Sequence, residues 1–195
     1  MHIHSRTLEN IEFKPDDKEL MNTLGPDLVL KNCKVILPPK KALSMNNVTF
    51  IDCVIKPQQK LVNFQGWYRC CLVNCVFQGR FVGNDFGHFP EKYGSHGKVH
   101  GGDFSAAILD GCRFVGCDMS LVKLPAWPCF TIHLPRERIK ALDNVKLPGT
   151  MAAWVKAVAN YGPPQTVAIV EYAPTLAKEC KVTEVELREL VRGLE

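Results

Sequence analysis

The sequence predicts a mainly β fold, a parallel β-helix of about four coils, followed by a small helical C-terminal element. Three observations predict it. Four segments spread over 85 positions repeat one local pattern, large apolar residues recur with a period of five, and the last quarter of the chain switches to helix-type patterning with recognisable caps. A period of five fits neither an α-helix at 3.6 nor a flat strand at 2.0. It fits a chain that turns a corner after each short run and keeps the same kind of residue facing inward.

The four segments are Leu30-Lys31-Asn32-Cys33-Lys34-Val35, Phe50-Ile51-Asp52-Cys53-Val54-Ile55, Leu72-Val73-Asn74-Cys75-Val76-Phe77 and Leu109-Asp110-Gly111-Cys112-Arg113-Phe114. Each has a large apolar residue, a turn-former, a cysteine and a second large apolar residue five after the first. The longest run of the period is Phe104, Leu109, Phe114, Met119 and Leu124, with a small residue or Val two places before each. Spacings of 20 residues from Leu30 to Phe50 and 22 from Phe50 to Leu72 are each about one coil. The 37 residues from Leu72 to Leu109 hold a coil plus an insertion. Stacked in this way, Cys33, Cys53, Cys75 and Cys112 are expected to form an internal ladder of small buried hydrophobes. Nine cysteines without a CxxC spacing argue against both a disulfide framework and a zinc site.

Cys112-Arg113-Phe114-Val115-Gly116 and Cys117-Asp118-Met119-Ser120-Leu121 carry a resemblance to the pentapeptide-repeat family, as do Cys75-Val76-Phe77-Gln78-Gly79 and Gly102-Asp103-Phe104-Ser105-Ala106. The resemblance covers about half the chain and implies a right-handed quadrilateral β-helix with 20 residues per coil. Pro38-Pro39-Lys40-Lys41 and Lys56-Pro57-Gln58-Gln59-Lys60 depart from the family pattern, because proline cannot donate to a ladder. These breaks leave a square cross-section and a looser, pectate-lyase-like one both open.

Three regions follow. Residues 1–27 read as an N-terminal cap, a strand and then a short helix over Asp16–Leu24 ended by Gly25-Pro26. Residues 28–126 are the coils, with the insertion at 87–101. Residues 127–195 read as one more strand, over Trp127–Leu134, and a helical cap or dimerisation element. Within that element Thr150 is placed to cap a helix over residues 151–160 that Gly162-Pro163-Pro164 stops, and Thr183 with Glu186 forms a capping box with Gly193 after the last turn. Thr166–Ala173 is strand or helix by periodicity. Leu176–Leu190 has helix-turn-helix spacing with Lys181 where a turn glycine is usual. The outward glutamates 184, 186 and 189 make its second helix a poor match for phosphates.

Candidate contact residues come from two places. Trp67-Tyr68-Arg69 combines the residue types enriched at binding hot spots, although Trp67 also sits at an inward position, five before Leu72. The insertion holds His88, Phe89, Tyr93, His96 and His100 among glycines. A His-x7-His-x3-His spacing could assemble a metal site, but Gly97 argues against the helix it needs, and a partner-contact loop is the expected role.

Residues 1–27 carry three Lys/Arg against six Asp/Glu, whereas 28–127 carry twelve against six. A basic middle argues against a DNA mimic, which needs a strongly negative rod. With six scattered acidic residues and no nucleophile triad or phosphate loop, a carbohydrate-acting β-helical enzyme is the weaker alternative. The expectation is a non-catalytic protein-interaction module, immunity-type or effector-associated, with no cofactor or metal. It is expected to be cytoplasmic, without a membrane or nucleic-acid partner. A second copy could dock through the C-terminal helices, since Trp154, Val155 and Val158 offer more apolar surface than one coil covers.

Overall fold

A computed structural model describes residues 1–16, 19–89, 96–140 and 147–192. The chain is mainly β, and its strands run in parallel sheets with a few short helices towards the C-terminus. The recurring unit is a strand, a two-residue bend and a second strand, as in Leu28–Lys31 followed by Lys34–Leu37 and Val48–Ile51 followed by Val54–Pro57. The bend is made by the turn-former of the sequence pattern. Asn10, Asn32, Asp52 and Asn74 all take a left-handed backbone, with φ between 48° and 56°. Asn and Asp tolerate that conformation better than other side chains bearing a Cβ. The bends also bond to one another: Asn32 Nδ2 donates to Asn10 Oδ1 at 2.6 Å.

This unit explains the period of five. Within each strand inward residues alternate, as Leu28 and Leu30 do and then Val35 and Leu37, all fully buried. The two-residue bend shifts the alternation by one, so the inward residues that flank it with the cysteine between them stand five apart. Leu30 and Val35, Phe50 and Ile55, Leu72 and Phe77, and Leu109 and Phe114 are such pairs, and each is at most 1 % exposed.

Successive passes stack in register. One inward column runs Leu8, Leu30, Phe50, Leu72, Val99, in steps of 22, 20, 22 and 27 residues. A second runs Phe13, Val35, Ile55, Phe77 and reaches Phe104, whose ring stacks on Phe77 at 4.2 Å. Leu109 therefore pairs with Phe81, not with the Leu72 column as the repeat spacing suggests. The cause is a step of 27 residues, lengthened to 28 by an irregularity at Val76/Gln78. The cysteine ladder consequently holds Cys33, Cys53 and Cys75, whose thiols point at the Leu8, Leu30 and Phe50 carbonyls of the preceding pass, and continues into Gly102. Cys112 sits in another column, against the Phe81 carbonyl.

Among the described residues of 1–27 the helix expected over Asp16–Leu24 is not found. Asn22–Leu24 is a strand that pairs in parallel with His2–Ile3 and Leu43–Met45, so the first pass carries the same ladders as those above it. Pro57 closes its strand opposite Leu37 and is buried, so this proline belongs to the stack and does not loop outward.

Beyond the stack the pairing changes hand. Thr166–Tyr172 is a strand, lying antiparallel between Cys112–Val115 and Cys129–His133. The strand expected within Trp127–Leu134 forms over Cys129–His133, as part of a four-stranded end sheet. Helices Met151–Tyr161, Ala173–Cys180 and Glu184–Val191 pack a second core with Phe130 and Ile132. The Thr183–Glu186 capping box forms as expected. Thr150 does not cap its helix, because its hydroxyl is spent on the Glu179 carbonyl at 3.2 Å. Lys181 takes the left-handed position at φ 57°. Gly193 lies outside the described residues. Val155 is buried, and Trp154 and Val158 are half-buried beside a cavity. No helix among the described residues is long and apolar enough to cross a membrane.

Candidate functional site

The seam between the stack and the end sheet gathers the buried charge of the molecule. In Cys112–Val115, alternation sends Cys112 and Phe114 into the core and leaves Arg113 on the outer face. Its parallel neighbour is Asp85, on a strand (Asp85–Gly87) whose Phe86 stacks inward on Phe114 at 5.4 Å. Arg113 and Asp85 therefore meet directly in a two-pronged pair, Nε to Oδ1 at 2.5 Å and Nη2 to Oδ2 at 2.8 Å. The Asp85 carboxylate holds the Arg113 guanidinium above its ordinary range. On the other side Arg113 faces Ile169, and two residues further along that strand Glu171 occupies the same outer face.

Glu171 is 9 % exposed and lies under helix Met151–Tyr161, where Trp154 Nε1 donates to its Oε1 at 3.4 Å. Burial, and then the nearby Asp110 and Glu179 carboxylates, push its carboxyl up to about 7, against the donors from Trp154 and Gly111. Asp110 is itself buried and engaged by Arg80 Nη2 at 2.7 Å and Thr175 Oγ1 at 3.0 Å, which fastens helix Ala173–Cys180 to the stack. Arg80 also lies over the Tyr172 ring at 5.1 Å.

Two depressions share Arg113 and Gly162 as their common wall. One, of about 320 Å³, is a groove lined by Gln65, Tyr68, Asp85, Phe89, Pro163 and Pro164. The other, of about 200 Å³, lies beneath helix Met151–Tyr161 and contains Glu171.

The residues singled out in the sequence divide across this region. Trp67 is fully buried: its ring sits among Phe64, Phe77, Phe81 and Phe86, and its Nε1 donates to Asn84 Oδ1 at 3.0 Å. Its inward position prevails, and no partner can touch it. Tyr68 is 3 % exposed but lines the groove, with the Phe89 ring 5.2 Å away. Arg69 is exposed and borders a separate depression with Leu43, Met45 and Phe64. His88 is half-buried, with its backbone N–H bonded to the Val115 carbonyl. His96 is exposed where the chain returns from the insertion, and Gly97 follows it in a space where a Cβ would collide with the Gly87 and Tyr68 carbonyls. His100 is on the strand Lys98–Asp110, outside the insertion. Tyr93 and Glu91 lie outside the described residues. Among the described residues no three or more His, Cys, Asp or Glu side chains come together to hold a metal ion.

Sequence reading missed Arg113, Glu171, Trp154 and the Gly162–Pro164 turn as site residues. Glu171 carried a signal, because it is the one charged residue in the otherwise apolar run Val167–Tyr172. No protein-family model, curated protein or solved structure matches the chain.

Proposed function

We propose that the parallel stack is a right-handed β-helix, and that it serves as a rigid scaffold for recognising another protein, in the manner of an immunity-type or effector-associated module, without catalysis. The handedness is that of nearly all parallel crossovers, and stacking steps of 20 to 28 residues support a coil of this size. The observation that carries the recognition reading is the groove at the seam. Tyr68, Phe89, Pro163 and Pro164 line it with stiff side chains, and Arg113, in the same lining, is already immobilised by Asp85. Rigid aromatic, proline and clamped arginine groups lose little conformational freedom on binding, which leaves more of the contact energy as affinity. The groove also joins the turn at Gly66–Arg69, the start of the insertion and the C-terminal element, three segments far apart in sequence.

Deleting 87–101 would cut into the strand Lys98–Asp110, so the test uses point variants in the groove. Tagged wild-type protein, Phe89→Asp and Pro164→Glu are each passed over native lysate, with Arg69→Ala as a surface control. The expected result is one stoichiometric partner with wild type and Arg69→Ala, and none with the groove variants at unchanged thermal stability. A partner retained by both groove variants, or no stoichiometric partner with wild type, overturns the proposal.

A further inference from the structure

We infer that the cavity beneath helix Met151–Tyr161 is a receptor for a primary alkylammonium group, supplied by a free aliphatic amine or by a lysine side chain of a bound protein. The cavity holds about 200 Å³, and the apolar part of its lining is Trp154, Ala157, Val158 and Ile169, suited to an alkyl chain. Glu171 belongs to the same lining, 91 % buried and positioned by strand pairing rather than by a mobile loop.

The hydrogen-bond inventory of Glu171 selects the ligand. A carboxylate has two oxygens and about four acceptor positions. The protein supplies donors from the Trp154 indole and the Gly111 backbone, so the remaining acceptor positions on the cavity side call for a ligand that donates. Charge selects it further. Asp110 and Glu179 add negative potential around Glu171, which disfavours an anion and favours a cation. Three guanidinium groups lie nearby: Arg80 is paired with Asp110, Arg113, in the cavity lining, is paired with Asp85 through two bonds, and Arg136 donates to the Gly162 carbonyl at 2.7 Å. An ammonium entering the cavity therefore meets the Glu171 carboxyl, while Arg80 and Arg113 are each matched by a carboxylate of their own. Burial together with the two neighbouring carboxylates leaves Glu171 near half-protonated at neutral pH, and a bound ammonium would draw it to the ionised form. The inference does not depend on the groove across Arg113 having a protein partner.

The test is ¹⁵N NMR on the full chain at pH 8, following the Trp154 indole N–H. That signal is one of three tryptophan indoles and is assigned with Trp154→Phe. The probes are n-butylammonium and the Nα-acetyl-lysine methylamide, with 1-butanol and the norleucine analogue as neutral controls. The expected result is a saturable shift with at least one of the two cations, at a dissociation constant of roughly 1–10 mM. Glu171→Gln should weaken it about tenfold, as expected for losing a charged hydrogen bond. Val158→Phe, which fills the cavity without touching Glu171, should abolish it. Saturation by butylammonium assigns the site to free amines, and saturation by the lysine probe alone assigns it to a protein side chain. An equal shift with the neutral controls, an undiminished shift in Glu171→Gln, or no saturable shift with either cation overturns the inference.

Discussion

Among the described residues, the parallel stack and its seam with the C-terminal element fill their interiors by different rules. Inside the stack the columns are aliphatic side chains, phenylalanines and thiols, and the fully buried polar side chains are the amides Asn22 and Asn84, of which Asn84 donates to two backbone carbonyls and accepts from Trp67. At the seam three carboxylates, Asp85, Asp110 and Glu171, are buried within 9 % exposure. Two of them are paired with arginines and the third is not. A repeating stack satisfies its backbone through the neighbouring pass and needs no buried charge. Joining it to a different layer requires specific fastenings, and there the cost of burying charge is met only where a partner stands opposite. The difference puts the buried carboxylates of the described residues at the seam and the regular apolar columns in the stack.

The largest expected effect is in the apolar core that the stack shares with the end-sheet strand Asp85–Gly87. Phe86 stacks on Trp67 and Phe114 and meets Phe77, Phe81 and Phe104 edge-on. Phe86→Ala should cost about 3–5 kcal/mol in denaturant unfolding. A cost below about 1 kcal/mol would show that the column tolerates a void and is not close-packed.

Asp110→Ala removes the buried carboxylate of a part-buried pair and leaves Arg80 and Thr175 unmatched at the helix Ala173–Cys180 junction. It should cost about 3 kcal/mol and expose the C-terminal element to limited proteolysis before the stack. Simultaneous cleavage of both regions would erase the distinction between them.

Glu171 is expected to work in the opposite direction. Its carboxyl is raised to about 7 in the folded chain from an ordinary value of 4.5. Below the ordinary value it is neutral in both states and contributes nothing. As pH rises from there to the folded value the unfolded chain ionises first, so stability falls by on the order of 3 kcal/mol, and above about 7 the loss is complete. Glu171→Gln should therefore be more stable than wild type at pH 8 and no more stable at pH 4.5. Parallel pH–stability curves for the two proteins would contradict this.

The smallest pair of effects compares bends. Asn32 holds a left-handed corner of the stack and bonds to Asn10, while Lys181 holds the same conformation after a helix. Asn32→Ala should cost about 1 kcal/mol, and Lys181→Gly should gain about 1 kcal/mol.

How much of this was legible follows from the range of the interactions. The bend residues, the cysteine that follows them and the inward pairs five apart are local, so the strand–bend–strand unit could be read from Leu30-Lys31-Asn32-Cys33-Lys34-Val35 alone. The stacking of Leu72 on Val99 rather than Leu109 could not, because register is set by hydrogen bonds across an insertion and an irregularity that leave no pattern. The helix expected over Asp16–Leu24 failed for a similar reason: Asn22–Leu24 takes its strand conformation from the passes on either side. Of the residues that line the groove, Tyr68 and Phe89 were legible in the sequence as candidate contact residues. The Arg113–Asp85 pair depends on parallel strands 28 positions apart, and the place of Glu171 on an antiparallel strand, so neither pattern is visible along the chain.

The central claim is that the seam groove, and not the stack surface, makes contact with a partner. The most direct measurement places a photo-crosslinking benzoyl-phenylalanine at Phe89 in the groove and, separately, at the exposed Ser105 on the stack, each irradiated in native lysate. The account predicts one cross-linked species of defined mass from Phe89 and none from Ser105. Equal cross-linking at both, cross-linking at Ser105 alone, or none at Phe89 would contradict it.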